Sequence, residues 1–400
     1  METIQLDALK PQKTLVCYIA SLTRGGAERV MANLASWFAE RGYRVILATL
    51  EEDEGLYPLS DKIEKRVLTM PPCHGPIGRV KNLFARVWQL RALFKEVHAD
   101  VCLAFIGKTN IRAIMAALGT KTDVFVSVRS APAREYKGVM ARTLARFAFR
   151  AAKGAAFQTA EAASFFPKSV QRKSKILLNP LSPEYVVPFD PYENRRDEII
   201  TVGRMDRVKN HKLLVEAFSL FLNQIRSAET DSAILSNSEN ALSSNESAYT
   251  ELKKSAVPKL IIYGDGDCMN EIKAQVKSLG IEDHVELPGD TRGVAEKIKG
   301  ARLFVLSSDY EGMPNAVAEA MAMSIPVVAT DCPSGGARSL VSHGGTGLMV
   351  HVNDPREMAD AMLRIWTDHK LAERLAKAGH EFSKTLAPDL IFKEWERFLF

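Results

Sequence analysis

Short apolar runs alternate with segments of helical period along almost the whole chain, and this alternation restricts the fold more than any other feature. The first runs are Thr14 to Ala20, Tyr43 to Leu50, Ile63 to Thr69, Val101 to Ile106, Val124 to Val128 and Ala155 to Thr159. After the first run comes a Gly25-Gly26 turn, then a helical pattern through Val30, Leu34, Trp37 and Phe38, with Gly42 placed to close it. Strand, glycine turn, helix and strand make a βαβ unit and hence a parallel sheet. Residues 179–197 interrupt the pattern with Pro180, Pro183, Pro188, Pro191 and a charged run, and read as a linker. The alternation then restarts with Ile199 to Val202, Lys259 to Tyr263, Val285 to Leu287, Leu303 to Leu306, Ile325 to Ala329 and Leu348 to Val350. The expectation is an α/β protein of two Rossmann-like, doubly wound parallel-sheet domains facing a cleft. The N-terminal domain is residues 1–178, and the C-terminal domain is 198–380. Residues 381–400 form a helix packing back on the first domain. Residues 227–257 are rich in Ser, Asn, Glu and Ala and read as a solvated, disordered-type insertion after a helix from Leu213 to Ile225.

Four hundred residues exceed one ordinary domain, and 46% apolar with 25% charged content is that of a soluble globular chain. No run approaches the ~18 apolar residues that span a bilayer, and Met1 to Lys13 has no signal-peptide pattern. Cysteines 17, 73, 102, 268 and 332 are odd in number and scattered, giving neither a disulfide framework nor a metal cluster. A reducing, cytoplasmic compartment is expected.

The net charge of +5 conceals an asymmetry. Residues 1–178 hold 28 Lys+Arg against 15 Asp+Glu, a balance of +13, whereas 179–400 hold 25 against 33, a balance of −8. Two amphipathic segments add to it. Residues 79–97 interleave an apolar period with Arg79, Lys81, Arg86, Arg91 and Lys95, and residues 139–153 place Arg142, Arg146 and Arg150 beside Leu144, Phe147 and Phe149. Each alone fits an ordinary surface helix with its apolar face in the core. Two in one basic half point equally to peripheral contact with an anionic membrane surface. Nucleic acid is not expected, since no nucleic-acid motif accompanies the charge.

The stretch from Leu303 to Ala322 carries the chemistry. A buried strand leads into Ser307-Ser308-Asp309-Tyr310-Glu311-Gly312-Met313-Pro314-Asn315-Ala316, then a small, Ala-rich helix. Pro314 suits a first helical position, and free N–H groups of a helix start attract anions. Asn315 and Glu319 share a face. Solvated glutamates on an ordinary strand-turn-helix are an equal alternative for this segment alone. Arg204 and Lys209, after the strand ending at Val202, add a planar fork and a point charge for phosphate. Together they describe a diphosphate site, with Glu319 able to accept ribose hydroxyls and Glu311 nearer the rest of a nucleotide sugar.

These residues carry a resemblance. Gly203-Arg204-Met205-Asp206-x-x-Lys209-Asn210, Gly264-Asp265-Gly266, Glu311-Gly312-x-Pro314-Asn315-x-x-x-Glu319-Ala320-Met321-Ala322 and Pro326-Val327-Val328-Ala329-Thr330 resemble the donor domain of family 4 retaining glycosyltransferases of the GT-B fold. Gly25-Gly26-Ala27-Glu28-Arg29 resembles that family's glycine loop. The similarity is greatest to members that build bacterial surface glycans on polyprenyl-diphosphate carriers.

The resemblance implies a hexosyl or N-acetylhexosaminyl transferase using a nucleotide sugar, UDP-linked, as substrate, with no cofactor and no metal. Arg204, Lys209 and Glu311 would be the catalytic set, the two cations stabilising the leaving diphosphate and Glu311 contacting the sugar. Gly25, Gly26, Gly203, Gly264, Met313, Pro314, Asn315, Ala316 and Glu319 would bind the donor, Glu319 through the ribose. The acceptor would be a lipid-diphosphate-linked glycan, and the protein a monomer on the inner face of the cell membrane. One departure is visible. Where many members carry a sugar-contacting histidine, the stretch Val124 to Ser130 offers Arg129, and no histidine lies between His98 and His211. Arg129 is open between a phosphate or sugar contact and a structural role. Two alternatives remain: a nucleotide-sugar epimerase of the same fold, which the shortage of histidines disfavours, and a non-catalytic binding protein.

Overall fold

The computed structural model describes residues 13–400 except Arg24, 53–56, 70–74, Asn194 and 237–256. Of residues 76, 77, 79, 80 and 228–236 it describes the backbone alone. Cys73 and most of the expected insertion lie outside the described residues. The chain divides into two units, one of residues up to Leu178 with Phe392–Phe400, the other Asn179–Ile391.

The first unit runs β1 (Thr14–Tyr18), α1 (Gly26–Glu40), β2 (Arg44–Thr49), β3 (Glu64–Val67), α2 (Gly75–Glu96), β4 (Val101–Phe105), α3 (Gly107–Ala117), β5 (Asp123–Val128), α4 (Pro132–Glu135), α5 (Val139–Ala148), β6 (Gly154–Phe157), α6 (Ala160–Ser164), α7 (Lys168–Gln171) and β7 (Ser174–Ile176). Its seven strands lie in the order β3-β2-β1-β4-β5-β6-β7, all parallel. Val16 registers with Ile46 on one side and Cys102 on the other. The central strands β1 and β4 are fully buried apolar runs because helices cover both faces of a parallel sheet, whereas the edge strands β3 and β7 are polar and partly exposed. One face packs on Val87, Leu90 and Phe94 of α2, Ala113 and Ile114 of α3 and Ala145 of α5.

The second unit runs β8 (Arg196–Val202), α8 (His211–Ser236), β9 (Lys259–Tyr263), α9 (Met269–Ser278), β10 (Val285–Gly289), α10 (Val294–Ile298), β11 (Ala301–Leu306), α11 (Asn315–Ala322), β12 (Val327–Thr330), β13 (Leu348–Val350), α12 (Pro355–Thr367), α13 (His369–Ser383) and the first turn of α14 (Pro388–Leu399), the rest of which belongs to the first unit. The six-stranded order is β10-β9-β8-β11-β12-β13, again all parallel. Its core joins Phe218 and Phe221 of α8 to Met358, Met362 and Trp366 of α12. Asp354 and Asp368 cap α12 and α13 through the N–H groups of Glu357 and Leu371.

Three details depart from the sequence reading. Helix α8 continues to Ser236, so the first ten residues of the expected insertion are helical. The first strand of the second unit starts at Arg196, inside the expected linker. Of the 381–400 stretch, only Phe392–Phe400 belongs with the first unit. Cys17, Cys102, Cys268 and Cys332 are free and buried, and burial pushes the Cys17 thiol up to about 12. Among the described residues, no helix is long and apolar enough to cross a membrane.

Candidate active site

Strand order in the second sheet reverses between β8 and β11: the connections from β8 lead one way, those from β11 the other. Such a switch point leaves a crevice at the carboxyl ends of the two strands. The Gly203–His211 loop leaves β8 there, and the Ser307–Pro314 loop leaves β11.

The β8 loop is folded by Asp206. Its Oδ1 accepts the N–H groups of Val208 (2.9 Å) and Lys209 (3.0 Å), and its Oδ2 lies 3.4 Å from the Arg204 guanidinium. Asn210 then takes a left-handed conformation (φ 46°), which Asn tolerates better than most residues, and its side-chain amide donates to Asp309 Oδ1 at 2.8 Å. The backbone adds a bond from Asp309 N–H to Val208 O, and Ser307 Oγ donates to Lys209 O. The two loops are thus one hydrogen-bonded unit.

Glycines bring a third segment against it. A Cβ on Gly264, which has φ 133°, would stand 2.0 Å from Gly203 O. A Cβ on Gly336 would stand 1.6 Å from Gly312 O. No other residue permits these backbone approaches.

Within this frame Lys209 Nζ donates to Glu311 Oε1 at 2.6 Å, with side chains 22% and 11% exposed. Ser308 Oγ donates to the same oxygen at 2.7 Å, and Glu311 N–H donates to Ser334 Oγ at 3.1 Å. Arg204 is 72% exposed, so its guanidinium is open to solvent and to ligands. The sequence reading gave Lys209 and Glu311 separate tasks; the structure joins them as an ion pair.

Pro314 is the N-cap of α11 and not its first residue. Its ψ of 101° is extended, and its carbonyl accepts from Val317 (3.1 Å) and Ala318 (3.4 Å). The N–H groups of Asn315 and Ala316 meet no acceptor among the described residues, and so remain for an anion. Met313 is buried and its Sδ receives the N–H of Asn179. The Asn179 amide donates to Asn315 Oδ1, fixing that side chain. Glu319 sits one turn inside the helix, 5% exposed.

The first sheet reverses between β1 and β4. Gly25, after β1, is braced by Tyr57, whose hydroxyl accepts Gly25 N–H and donates to Gly25 O, each at 2.9 Å. The Gly25 N–H is therefore already bonded, while Gly26 opens α1 with its N–H unpaired among the described residues. After β4, Ile106 has φ 73°, a strained value for a β-branched residue. Glu135 stabilises this edge by accepting the N–H groups of Gly107 (2.8 Å), Arg129 (3.0 Å) and Ser130 (3.0 Å); burial pushes its carboxyl up despite them. Arg129 is itself buried, its guanidinium 4.7 Å over the Phe105 ring. Burial pulls it down to about 9, partly offset by Glu135, so it stays charged at neutral pH. A cavity of about 430 Å³ opens beside it, lined by Ser130, Arg134, Glu135 and Lys137.

The sequence reading assigned no task to Asp206, Ser308, Ser334, Tyr57 or Glu135. Asp206 stood inside a quoted motif and could have been found there, as a carboxylate three residues before a helix-leading Lys. Tyr57 and Ser334 are long-range partners, while Ser308 and Glu135 bond within irregular turns that leave no periodic pattern. Among the described residues, no group of three His, Cys, Asp or Glu is gathered as a metal site.

Comparison with known proteins agrees with this architecture. Residues 196–368 match the family "Glycosyl transferases group 1", and residues 25–181 match "Glycosyl transferase 4-like domain". A Campylobacter jejuni α-1,4-N-acetyl-D-galactosaminyltransferase acting on GalNAc-GalNAc-diNAcBac-PP-undecaprenol is 25% identical over 377 residues, covering 94% of this chain and 95% of that one. The amylovoran biosynthesis glycosyltransferase AmsD of Erwinia amylovora is 21% identical, covering 97% and 99%. Among solved structures, Anabaena HepE in complex with UDP has a TM-score of 0.74 at 16% identity, covering 96% and 99%. Thermosynechococcus elongatus sucrose-phosphate synthase has 0.75 at 16% identity, covering 96% and 98%.

Proposed function

The chain belongs to the family 4 glycosyltransferases of the GT-B fold, and from that premise we propose that it is a retaining transferase. It moves a hexosyl or N-acetylhexosaminyl group from a UDP-sugar to a glycan carried on a lipid diphosphate. It works as a monomer on the inner face of the cell membrane. The observation that carries the reading is the grouping, at one strand switch point, of an exposed Arg204, the Lys209–Glu311 pair and the unpaired N–H groups opening α11. These are the parts a diphosphate leaving group needs.

In this reading the donor diphosphate lies against Arg204, Lys209 and the N–H groups of Asn315 and Ala316. Glu319 accepts the ribose hydroxyls and Glu311 faces the sugar. The acceptor hydroxyl attacks C1 on the side the diphosphate leaves. The C1–O bond to phosphate breaks as the C1–O bond to the acceptor forms, and the hydroxyl proton passes to the departing phosphate oxygen. Cations and the helix start stabilise the charge that builds there. No carboxylate nucleophile is used, in contrast to retaining glycosidases. The lipid-linked acceptor is supported by the C. jejuni relative, and UDP by the Anabaena HepE complex. Gly25 and Gly26 are assigned to donor binding, with Gly26 the available N–H; Gly203 and Gly264 act by letting the backbone close around the site.

The test is incubation with labelled UDP-sugars, a lipid-diphosphate glycan and EDTA. The expected result is a lengthened glycan retaining the donor's anomeric configuration, formed without added metal. Conversion of free donor to its epimer, with no acceptor extended, would overturn the reading.

A further inference from the structure

Helix α5 lies on the first unit with its large apolar side chains turned outward. Only Ala145 is buried, and Ala141 and Ala148 are half-buried, so the inner seam is made of alanines. Val139 and Met140 are 80% and 84% exposed, Phe147 is 68% exposed, and Leu144 is half exposed. The sequence reading of an ordinary surface helix with its apolar face in the core therefore fails here; of the large apolar side chains only Phe149, just past the helix, is buried. Helix α2 does the same in part. Val87, Leu90 and Phe94 enter the core, but Phe84 and Trp88, one turn apart, are exposed, Trp88 by 66%. Both helices belong to the layer on one face of the sheet, with α3 between them.

The outward charge around these apolar side chains is positive; Glu96, at the end of α2, is turned to Arg66. From Tyr136 to Ala160 the chain contains no Asp or Glu. Arg142, Arg146 and Arg150 are exposed, and none has a carboxylate partner among the described residues. Lys81 and Lys95 flank Phe84 and Trp88 on the outward side of α2. Exposed apolar patches this large mark an interaction site. Apolar side chains bordered by unpaired cations complement an anionic interface: the aromatic and aliphatic groups enter the acyl boundary and the arginines meet head groups.

We propose that the outer face of α5, extended by Phe84 and Trp88 of α2, docks the protein on an anionic lipid bilayer. This rests on the reading that the acceptor is membrane-borne, and it names the surface that meets the membrane. Val139 and Met140 are separated from Lys137 of the cavity described above by Gly138 alone. Docking there would hold that basic cavity at head-group level.

The test is sedimentation of the full chain with phosphatidylcholine vesicles, with and without phosphatidylglycerol. Binding is expected only with the anionic lipid. Met140→Asp with Phe147→Asp should lower partition at least tenfold. The triple change of Arg142, Arg146 and Arg150 to Gln should lower it about a hundredfold at low salt. Phe147→Leu should retain it. Anionic vesicles should shift Trp88 emission to shorter wavelength, and Trp88→Phe should abolish that shift, since Trp366 and Trp395 are fully buried and Trp37 is half-buried between Phe38, Phe392 and Arg41. Wild-type partition in the Asp and Gln variants would overturn the proposal. So would a dimer in sedimentation velocity that the same Asp changes abolish, because a second copy would then own the face. Transfer to a short, water-soluble diphosphate glycan should be unchanged in the Asp variant. If no acceptor is ever extended, the functional reading fails while vesicle partition still decides the docking face.

Discussion

Lys209 Nζ lies 2.6 Å from Glu311 Oε1, tying the loop after β8 to the loop after β11 across 102 residues of sequence. The pair has two consequences. It holds the ammonium at the switch point when no ligand is present, and it leaves the carboxylate compensated. In the proposed reading, a diphosphate entering the site would take over part of the lysine's charge, so that the lysine would bridge two anions.

Lys209→Ala should therefore lower kcat by at least ~10²-fold, the scale of removing one group that stabilises transition-state charge. Glu311→Gln should cost less, and the double variant should be non-additive by roughly 0.5–3 kcal/mol, as for residues in direct contact. Steady-state kinetics of the four proteins decides it. Additive effects would show that the pair does not act as one.

Glu319 is buried one turn inside α11 and is assigned to the ribose. Glu319→Gln should raise KM for the donor about tenfold with kcat little changed, the mark of binding lost equally from ground and transition states. Calorimetric titration with UDP should show the same loss. An unchanged UDP affinity would remove Glu319 from the ribose.

Gly264→Ala places a methyl group 2.0 Å from Gly203 O at a backbone angle that side chains rarely adopt. The expected loss is at least roughly 1–3 kcal/mol of stability from overpacking and backbone strain, seen as a lower urea midpoint. Gly280→Ala is the control. It too has positive φ (63°) but nothing within 4 Å, so only the ~1 kcal/mol conformational cost is expected. Equal losses would show that close approach at Gly264 is not what limits the position.

His211 opens α8 and is 3% exposed. Burial pulls its imidazole down to about 4, and the nearby Lys209 adds to this while Asp206 opposes it. The unfolded chain binds the proton near pH 6.5 and the folded chain only near 4. Between these values the unfolded state carries more protons, so stability rises with pH. It is greatest above 6.5 and falls as pH drops to 4, by about 3 kcal/mol over that window. In His211→Gln the slope of urea stability between pH 4 and 6.5 should flatten; an unaltered slope would assign acid sensitivity elsewhere.

Much of both sheets was legible because parallel strands covered on two sides must be short and uniformly apolar, as Val101–Phe105 and Ala301–Leu306 are. Strand β7, Ser174–Ile176, escaped because an edge strand of three residues with a central Lys carries neither mark. The order of strands was not legible at all, since periodicity says nothing of neighbours. The same limit applies to α5: a helical period shows that Leu144 and Phe147 share a side but not whether that side faces the core. At the site, Arg204, Lys209, Glu311 and Glu319 could be picked out by type and spacing. Their mutual geometry could not, because Lys209 meets Glu311 only after two strands are laid side by side.

The end of the chain closes the first unit. Trp395 packs beside Phe105 at 5.7 Å between ring centres, Phe398 beside Phe125 at 5.0 Å, and Phe400 stacks on Tyr43 at 4.8 Å. A cut at the linker would thus strip the first domain of a hydrophobic wall, and no single cut yields two intact halves. During synthesis the first unit, although begun earlier, cannot be completed before the second, because its closing aromatic residues come after Ile391.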